Sequence, residues 1–532
     1  MNKVYTYLIL LSLCISNSVY SQNKGTLTGS FESNNQIYKN DSKIGARAPK
    51  DKFGSNNYLK LDYTYGNFRA GIQYEAYLPP LFGYDFNLED NGIVHRFVTY
   101  EDNDLAITVG NFYEQFGSGL LFRAWEDRQL GLNNALEGVN IKFKPTNYIS
   151  LKAVYGKQRK YFDTGDGRIR GIDGEINVLD ALKASSNSTF LLGVGYLNRY
   201  QDYTGPLEDY PSSVDSWSAR IDFSTRRSAF QFEYVSKGED GNASTPQIVA
   251  EGETLLANYS YTQKGLGFNF SFRRLENMIF RSEREAINNE LLINYLPANT
   301  KQHKYSLANI YPYSTQAMGE IGGQIDFVYT FKKKTALGGK YGTNVALNYS
   351  HYNKLEGTLV DGIFYSDSDF LGFDGSKLYR DFNVEISKKW SKKLKSTFAF
   401  INLKYNKSEL EGGNKGMVKS KIYVADVLYK LKKGKALRTE LQYLNTDQDM
   451  GDWIAGALEY NIGSKWSFFV SDMYNSGVSD THYINVGGSY VKNATRFSVS
   501  YGRQKEGLLC VGGVCRMVPA ASGLTISLSK SF

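Results

Sequence analysis

The stretch richest in groups that could do chemistry runs from Gly110 to Gly138. It holds Glu114, Arg123, Glu126, Asp127, Arg128 and Glu137 among glycines and aromatics, with Gly117-Ser118-Gly119 in its middle. Paired carboxylates could serve general acid–base catalysis, and a serine between glycines invites comparison with a nucleophile elbow. The same side chains could instead fill or line a pore, opposite charges holding one another away from water. The choice depends on the elements at either side.

Other catalytic sets are thin. His95, His303, His351 and His482 have no paired spacing, and no HExxH, zinc set or phosphate loop occurs. Gly117-Ser118-Gly119 lacks the spacing of an elbow, and Gly193-Val194-Gly195 is a fragment of a dinucleotide pattern inside a strand. His303 and Ser306 are the nearest histidine–serine pairing. The expectation is a protein with no catalytic residues, metal or cofactor. No nucleic-acid partner is expected either, because the basic residues are not interleaved with a binding motif.

The elements come from the ends inward. Lys3, the apolar run Val4 to Ile15, and the small residues Val19 and Ser21 before Gln22 read as a secretory signal peptide over 1–21, cleaved between Ser21 and Gln22. Cys14 lies inside the apolar run behind the bulky Leu13, which argues against lipoprotein processing. No later stretch reaches the ~18 apolar residues of a membrane helix. A mean hydropathy of -0.41 would suggest a soluble chain. A membrane strand, however, needs apolar residues only at alternate positions. The 41 Tyr and 31 Phe favour strands, and 10 Pro leave few breaks.

Period-two alternation recurs along the chain. Leu59, Leu61, Tyr63 and Tyr65 alternate with Lys60, Asp62 and Thr64; after Gly66-Asn67, Phe68, Ala70, Ile72 and Tyr74 alternate with Arg69, Gly71, Gln73 and Glu75. Phe268, Phe270 and Phe272 alternate with Asn269, Ser271 and Arg273, and Leu437, Thr439 and Leu441 with Arg438, Glu440 and Gln442. At the end, Leu524, Ile526, Leu528 and Phe532 share a face, with Lys530 interrupting. This last strand resembles the signal read by the outer-membrane barrel-assembly machinery. Residues 22–532 are expected to form one all-β antiparallel transmembrane barrel of about 24 strands, range about 20–26.

Tight turns, many rich in lysine ("FKKKTA", "KLKKGKALR"), alternate with longer connections, many acidic ("FYSDSDFLGFDG", "NTDQDMGD"). This predicts a basic periplasmic rim and acidic outer loops. The rim is either a solvated face or a docking surface. Leu275 to Thr315 breaks the pattern for longest; it is a lid, a lumen constriction or an exposed loop.

Cys510 and Cys515 enclose Val-Gly-Gly-Val. In an oxidising compartment a disulfide is the default, and a loop this small contributes roughly 2 kcal/mol. A structural staple is favoured over a redox pair, for which no CxxC is present. Strand parity puts this hairpin outside, between the last two strands, where it would pin the end of the closing hairpin.

By the same parity Glu114 points into the lumen near its outer end. Leu120, Leu121, Ala124 and Trp125 then recur like one helical face, so an inward-folded loop or short helix is expected near 117–136, carrying Glu126, Asp127 and Arg128. It reads as a luminal plug whose carboxylates pair with Arg123 and Arg128, or as a selectivity constriction built from the same residues.

Five stretches, "LTGSFESNNQIYKND", "NNYLKLDYTYGNFRAGIQYEAYLPPL", "GNFYEQFGSGLLFRAWEDRQLG", "NELLINYLPANTKQHKYSLANIYPY" and "LCVGGVCRMVPA", resemble a functionally unassigned family of outer-membrane barrels of the Bacteroidota. The resemblance implies an outer-membrane barrel and carries no substrate or catalytic residue. Two functions follow: a non-enzymatic channel-like or plugged barrel, or an accessory subunit of an outer-membrane secretion, assembly or uptake machine. The expected partners are outer-membrane lipid or lipopolysaccharide, the assembly machinery during biogenesis, and further periplasmic or outer-membrane proteins in the subunit case.

Overall fold

The computed structural model describes residues 25–532, apart from 204, 206–209, 244, 433 and 512–513. The expected signal peptide with its Ser21/Gln22 junction, and the Gly-Gly turn between the two cysteines, lie outside the described residues.

Period-two alternation leaves each strand one apolar and one polar face, and a closed sheet satisfies both while leaving no edge. The chain takes that solution: 24 antiparallel strands, each paired with its neighbours in sequence, close into a single barrel. Closure is made by the first strand, Thr26–Tyr38, lying beside the last, Ala521–Ser531, with Ser30 opposite Ser531. The Phe532 amide donates to the Gly29 carbonyl (2.9 Å), which fastens the end of the seam. Thr481–His482 is a short continuation of the strand Asn485–Lys492.

The usual burial rule is inverted. Tyr63, Tyr65, Phe68 and Ile72 are exposed on the outer wall, while Gln73 and Glu75 on the alternate positions are buried inside. The same holds for exposed Trp217 between buried Ser216 and Ser218, and for exposed Phe382 between buried Asp381 and Asn383. A band of exposed apolar residues around an interior of paired polar groups suits hydrocarbon as the outer solvent.

The short turns 66–67, 147–148, 225–227, 264–265, 463–465 and 493–494 share one end, and the connections 78–90, 113–135, 277–318, 354–376 and 505–520 share the other. Lys332–Lys334, Lys392 and Lys393 sit at the short-turn end, matching the expected basic rim. The rule has exceptions, among them 332–342, eleven residues long at the short-turn end. At the short-turn end, 178–188 carries a helical turn, Val178–Ala181. At the other end Tyr161 takes φ 54 and reverses the chain within two residues.

Candidate functional site

Two connections at the loop end do not spread over the surface. They fold into the barrel and pack against its inner wall. In the first, 113–135, the backbone makes two minimal strand pairs, Gln115–Phe116 with Phe122–Arg123 and Glu126–Asp127 with Leu132–Asn133. The helical spacing of Leu120, Leu121, Ala124 and Trp125 therefore gives a folded loop and no helix. Gly117 (φ 50), Gly119 (φ 95) and Gly131 (φ 70) break any helical run. Gly117 also lies so close to the wall that a Cβ would stand 2.3 Å from the Arg220 side chain.

Phe116, Leu120, Leu121 and Phe122 are buried against inward-facing Ile169, Leu197, Val214, Val235 and Leu256. Gly171 on the wall makes room for the ring of Phe116, which a Cβ would approach to 2.9 Å.

The second segment, 277–318, continues this filling. The Arg123 amide donates to the Ile293 carbonyl (2.8 Å) and the Tyr295 amide to the Gly119 carbonyl (2.9 Å), so the two segments join edge to edge. Beyond the join, Tyr305, Leu307, Tyr311 and Tyr313 pack on Tyr352, Tyr379, Tyr405 and Trp453 of the facing wall. Arg273 of the wall is fully buried; it donates to Glu320 and to the Pro297 carbonyl, and Glu320 also accepts from the Tyr313 hydroxyl (2.7 Å) and the Gln316 amide (2.6 Å). His303 is held to Asp381 at 2.6 Å, whereas Ser306 accepts from Gln442 (3.1 Å), so the histidine–serine pairing suggested by their spacing is not made.

The five charged residues singled out in the first segment do not form one cluster, which corrects the expected pairing. Glu114 is buried and held by Lys142 (2.8 Å), Lys152 (3.0 Å) and Asn140 (3.0 Å), all wall residues. Arg123 pairs with no carboxylate among the described residues. Its guanidinium stacks on Tyr295 at 4.1 Å and Trp125 at 5.4 Å. Asp127 caps its own turn, accepting from the amides of Gln129 (2.9 Å) and Leu130 (3.1 Å). Only Glu126 and Arg128 pair with each other, at 3.0 Å.

That pair belongs to a longer chain. Arg128 reaches Glu32 (2.7 Å) on the first strand, and Gln73 joins Glu126 (3.0 Å) to Glu75 (2.7 Å). Arg159 grips Glu75 with two bonds, 3.0 and 2.7 Å. The wall members Glu75 and Arg159 escaped sequence reasoning, although the inward parity of Glu75 was readable.

Glu75, Glu126, Arg128 and Arg159 line a cavity of about 600 Å3 at the mouth of the barrel, between the segment 113–135, the connection 78–90 and the disulfide hairpin. Tyr58, Tyr77, Tyr84 and Tyr161 add aromatic faces. Burial raises the Tyr84 hydroxyl's pKa, against the opposing charge of Arg516. Among the described residues no group of three or more metal-ligating side chains converges. The cavity offers mixed donors and acceptors.

Cys510 and Cys515 are bonded, with Cα atoms 4.1 Å apart. The hairpin they staple does not extend the barrel's last two strands, which stop pairing at Gln504 opposite Ala521. Pro519 cannot donate to a ladder there. Gly507–Val511 and Val514–Val518 form a separate two-stranded flap. The flap leans over the mouth: Arg516 donates to the carbonyls of Gln129 and Gly83, both 2.8 Å, and Val511 and Val514 pack near Trp125 and Leu132. The expected staple therefore pins a cover over the first segment. Cys510→Ser with Cys515→Ser should leave heat-modifiable gel migration unchanged and speed hydrogen exchange in 507–518 and 126–134. The local loss should be roughly 2 kcal/mol.

A second outer contact titrates. Asp449 accepts from Lys407 (2.5 Å) and from the Tyr311 hydroxyl (3.0 Å), which ties the connections 407–416 and 446–452 to the second segment. Burial alone would raise the Asp449 carboxyl's pKa, but Lys407 and Tyr311 hold it below the usual carboxylate value. A depressed carboxylate contributes stability above its unfolded value and loses it as pH falls through its folded one. Protection factors for hydrogen exchange in 446–452, corrected for the intrinsic rate at each pH, should thus stay level from pH 7 to about 5 and fall below that, and Asp449→Asn should remove most of that pH dependence.

The chain belongs to the family of unknown function DUF6029, whose model matches residues 1–532. No curated protein matches it. Among solved structures it is similar to the P pilus usher translocation pore (9% identity, 95% of this chain and 99% of that one, TM-score 0.44). It is also similar to a ferric enterobactin receptor mutant of Pseudomonas aeruginosa (10%, 97% and 83%, TM-score 0.45). A BenF-like porin of Pseudomonas fluorescens Pf-5 matches at 13% identity over 85% of this chain and 98% of that one, with a TM-score of 0.35. At these identities the likeness concerns the barrel and no site residue.

Proposed function

We propose that this member of a family of unknown function is a non-enzymatic outer-membrane barrel whose lumen is shut at the loop end by its own two inward segments. Solute passes only when a segment moves. One observation carries the reading: 113–135 and 277–318 join each other and pack on both halves of the inner wall, leaving apolar clusters where an open porin would hold water. Towards the short-turn end the inward charges are wetter, Lys142 having a side chain 49% exposed, so the lumen is a hydrated cup closed at one end.

The outer apolar band supports a membrane position, and on this reading the short turns are periplasmic and the long connections outside. Leu524, Ile526, Leu528 and Phe532 on the closing strand are the groups offered to the barrel-assembly machinery. A second reading, an accessory subunit of a larger outer-membrane machine, is favoured by the lysine-rich rim at the short-turn end.

Two measurements test these readings. Purified wild-type protein in planar bilayers should give no large, stable conductance steps; such steps would sink the closed-lumen reading. Detergent pull-down with mass spectrometry addresses the second: a stoichiometric partner supports the subunit, and recovery of the barrel alone counts against it.

A further inference from the structure

The outer wall near the loop end carries a row of cations without counter-charges. Arg380, Lys404 and Lys419 lie directly opposite one another on the successive strands Lys377–Lys389, Leu394–Asn406 and Met417–Lys430, and His351 of Thr343–Asn353 lies opposite Arg380 at the end of the row. Lys421 sits one outward position nearer the middle of the wall, opposite Asn402. Their neighbours fix the direction: Asp381, Leu403, Ser420 and Ile422 are buried inside, and Phe382 and Tyr423 are exposed outside.

Like charges placed opposite one another across strands are destabilising. Among the described residues none of Arg380, Lys404, Lys419 and Lys421 makes an ion pair, although nearby Lys354 pairs with Glu409 and Lys407 with Asp449. A smaller row on the same wall, Lys157 opposite Arg168, does contain a carboxylate: Glu137 lies opposite Lys157 and pairs with Arg96 (3.0 Å). Just below the uncompensated row runs an aromatic band. Arg380 lies 5.6 Å from the Tyr349 ring centre, and Phe400, Tyr423 and Tyr443 follow one another at 5.3 and 6.5 Å. Tyrosine marks the boundary between hydrocarbon and water in membrane proteins.

We propose that this row binds the phosphate groups of a membrane-lipid head group, whose acyl chains lie on the aromatic and aliphatic band beneath. The site rests on the reading of the chain as a membrane barrel. Its chemistry is charge-assisted: lysines act as point charges for phosphate oxygens, and Arg380 can offer a two-pronged donor. Placement at the wall–water boundary, above exposed rings, selects a lipid phosphate over a dissolved one. Bound phosphate would also relieve the repulsion along the row.

The test uses the full chain in neutral detergent, titrated with diphosphorylated lipid A, with the same lipid after dephosphorylation, and with inorganic phosphate. Wild type should bind the phosphorylated lipid at least tenfold more tightly than the dephosphorylated one. The variant Arg380→Gln, Lys404→Gln, Lys419→Gln, Lys421→Gln should lose at least tenfold, and Lys404→Gln alone should lose part of that. Equal binding by variant and wild type, equal binding of the two lipids, or full displacement by millimolar inorganic phosphate would each overturn the proposal. Heat-modifiable migration, recorded for both proteins, keeps the results separable. A missing shift in wild type refutes the barrel reading, whereas a normal shift with unchanged lipid binding refutes only this site.

Discussion

Replacing residues 279–316 by a short Gly-Ser linker is expected to convert a silent barrel into a conducting one. Glu276 and Gly319 are already opposite each other at the ends of paired strands, so a few residues can bridge them without disturbing the wall. The deletion removes Tyr305, Leu307, Tyr311 and Tyr313 from one half of the lumen and Phe280 and Ile293 from the other. A wall of this many strands encloses an aqueous channel once unfilled, so conductance should rise by roughly tenfold or more. Single-channel recording checks it. A deletion variant that migrates as a folded barrel and stays silent would show that 113–135 alone closes the lumen, or that the closed-lumen reading is wrong. Shortening 113–135 in the same background separates those two.

The second large effect concerns the anchor of that segment. Arg273 and Glu320 are both wholly buried. Arg273→Met leaves the Glu320 carboxylate without its cation, and breaking one side of a buried pair costs about 3–5 kcal/mol. Arg273→Met with Glu320→Met removes both charges and should restore part of the loss, the remainder being the Tyr313 hydroxyl, Gln316 amide and Pro297 carbonyl left without partners. The readouts are the temperature of heat-modified migration and the frequency of brief conductance openings. The single variant should melt earlier and flicker, and the double variant should fall between it and wild type. Equal behaviour of the two would mean that the pair is not what holds the segment.

The wall was legible in the chain because the evidence for it is local. In the run from Leu59 to Glu75 every second residue declares its side, and the structure keeps that division down to buried Glu75 and exposed Ile72. The parity of the turns likewise put Glu114 and the cysteine hairpin at the outer end, the end where the structure has the connections 113–135 and 505–520. Partners were not legible. Arg273 could be read as inward from its place between Phe272 and Arg274, but Glu320 lies beyond a long excursion, and its pairing depends on the register that puts it opposite Leu275.

The first segment misled for a related reason. Leu120, Leu121, Ala124 and Trp125 are spaced as on a helix because they serve two surfaces. The first three pack against the wall, while Trp125 faces Tyr295 of the second segment. Periodicity reports one buried face, and a loop wedged between two partners has no single face to report. The carboxylates followed the same rule. Glu114 found its lysines on the wall, through neighbours in space that sequence distance conceals.

The seam between Thr26–Tyr38 and Ala521–Ser531 bears on the order of assembly. Ser30 meets Ser531 across it, so the wall cannot become a cylinder until the chain's last strand is delivered. The fillings at 113–135 and 277–318 pack on wall strands that lie before the seam, as far along as Trp453. They can be laid against a curved sheet that still has two free edges, instead of being threaded through a finished ring. Until the seam closes, Thr26–Tyr38 is an exposed edge, a template on which another chain could pair.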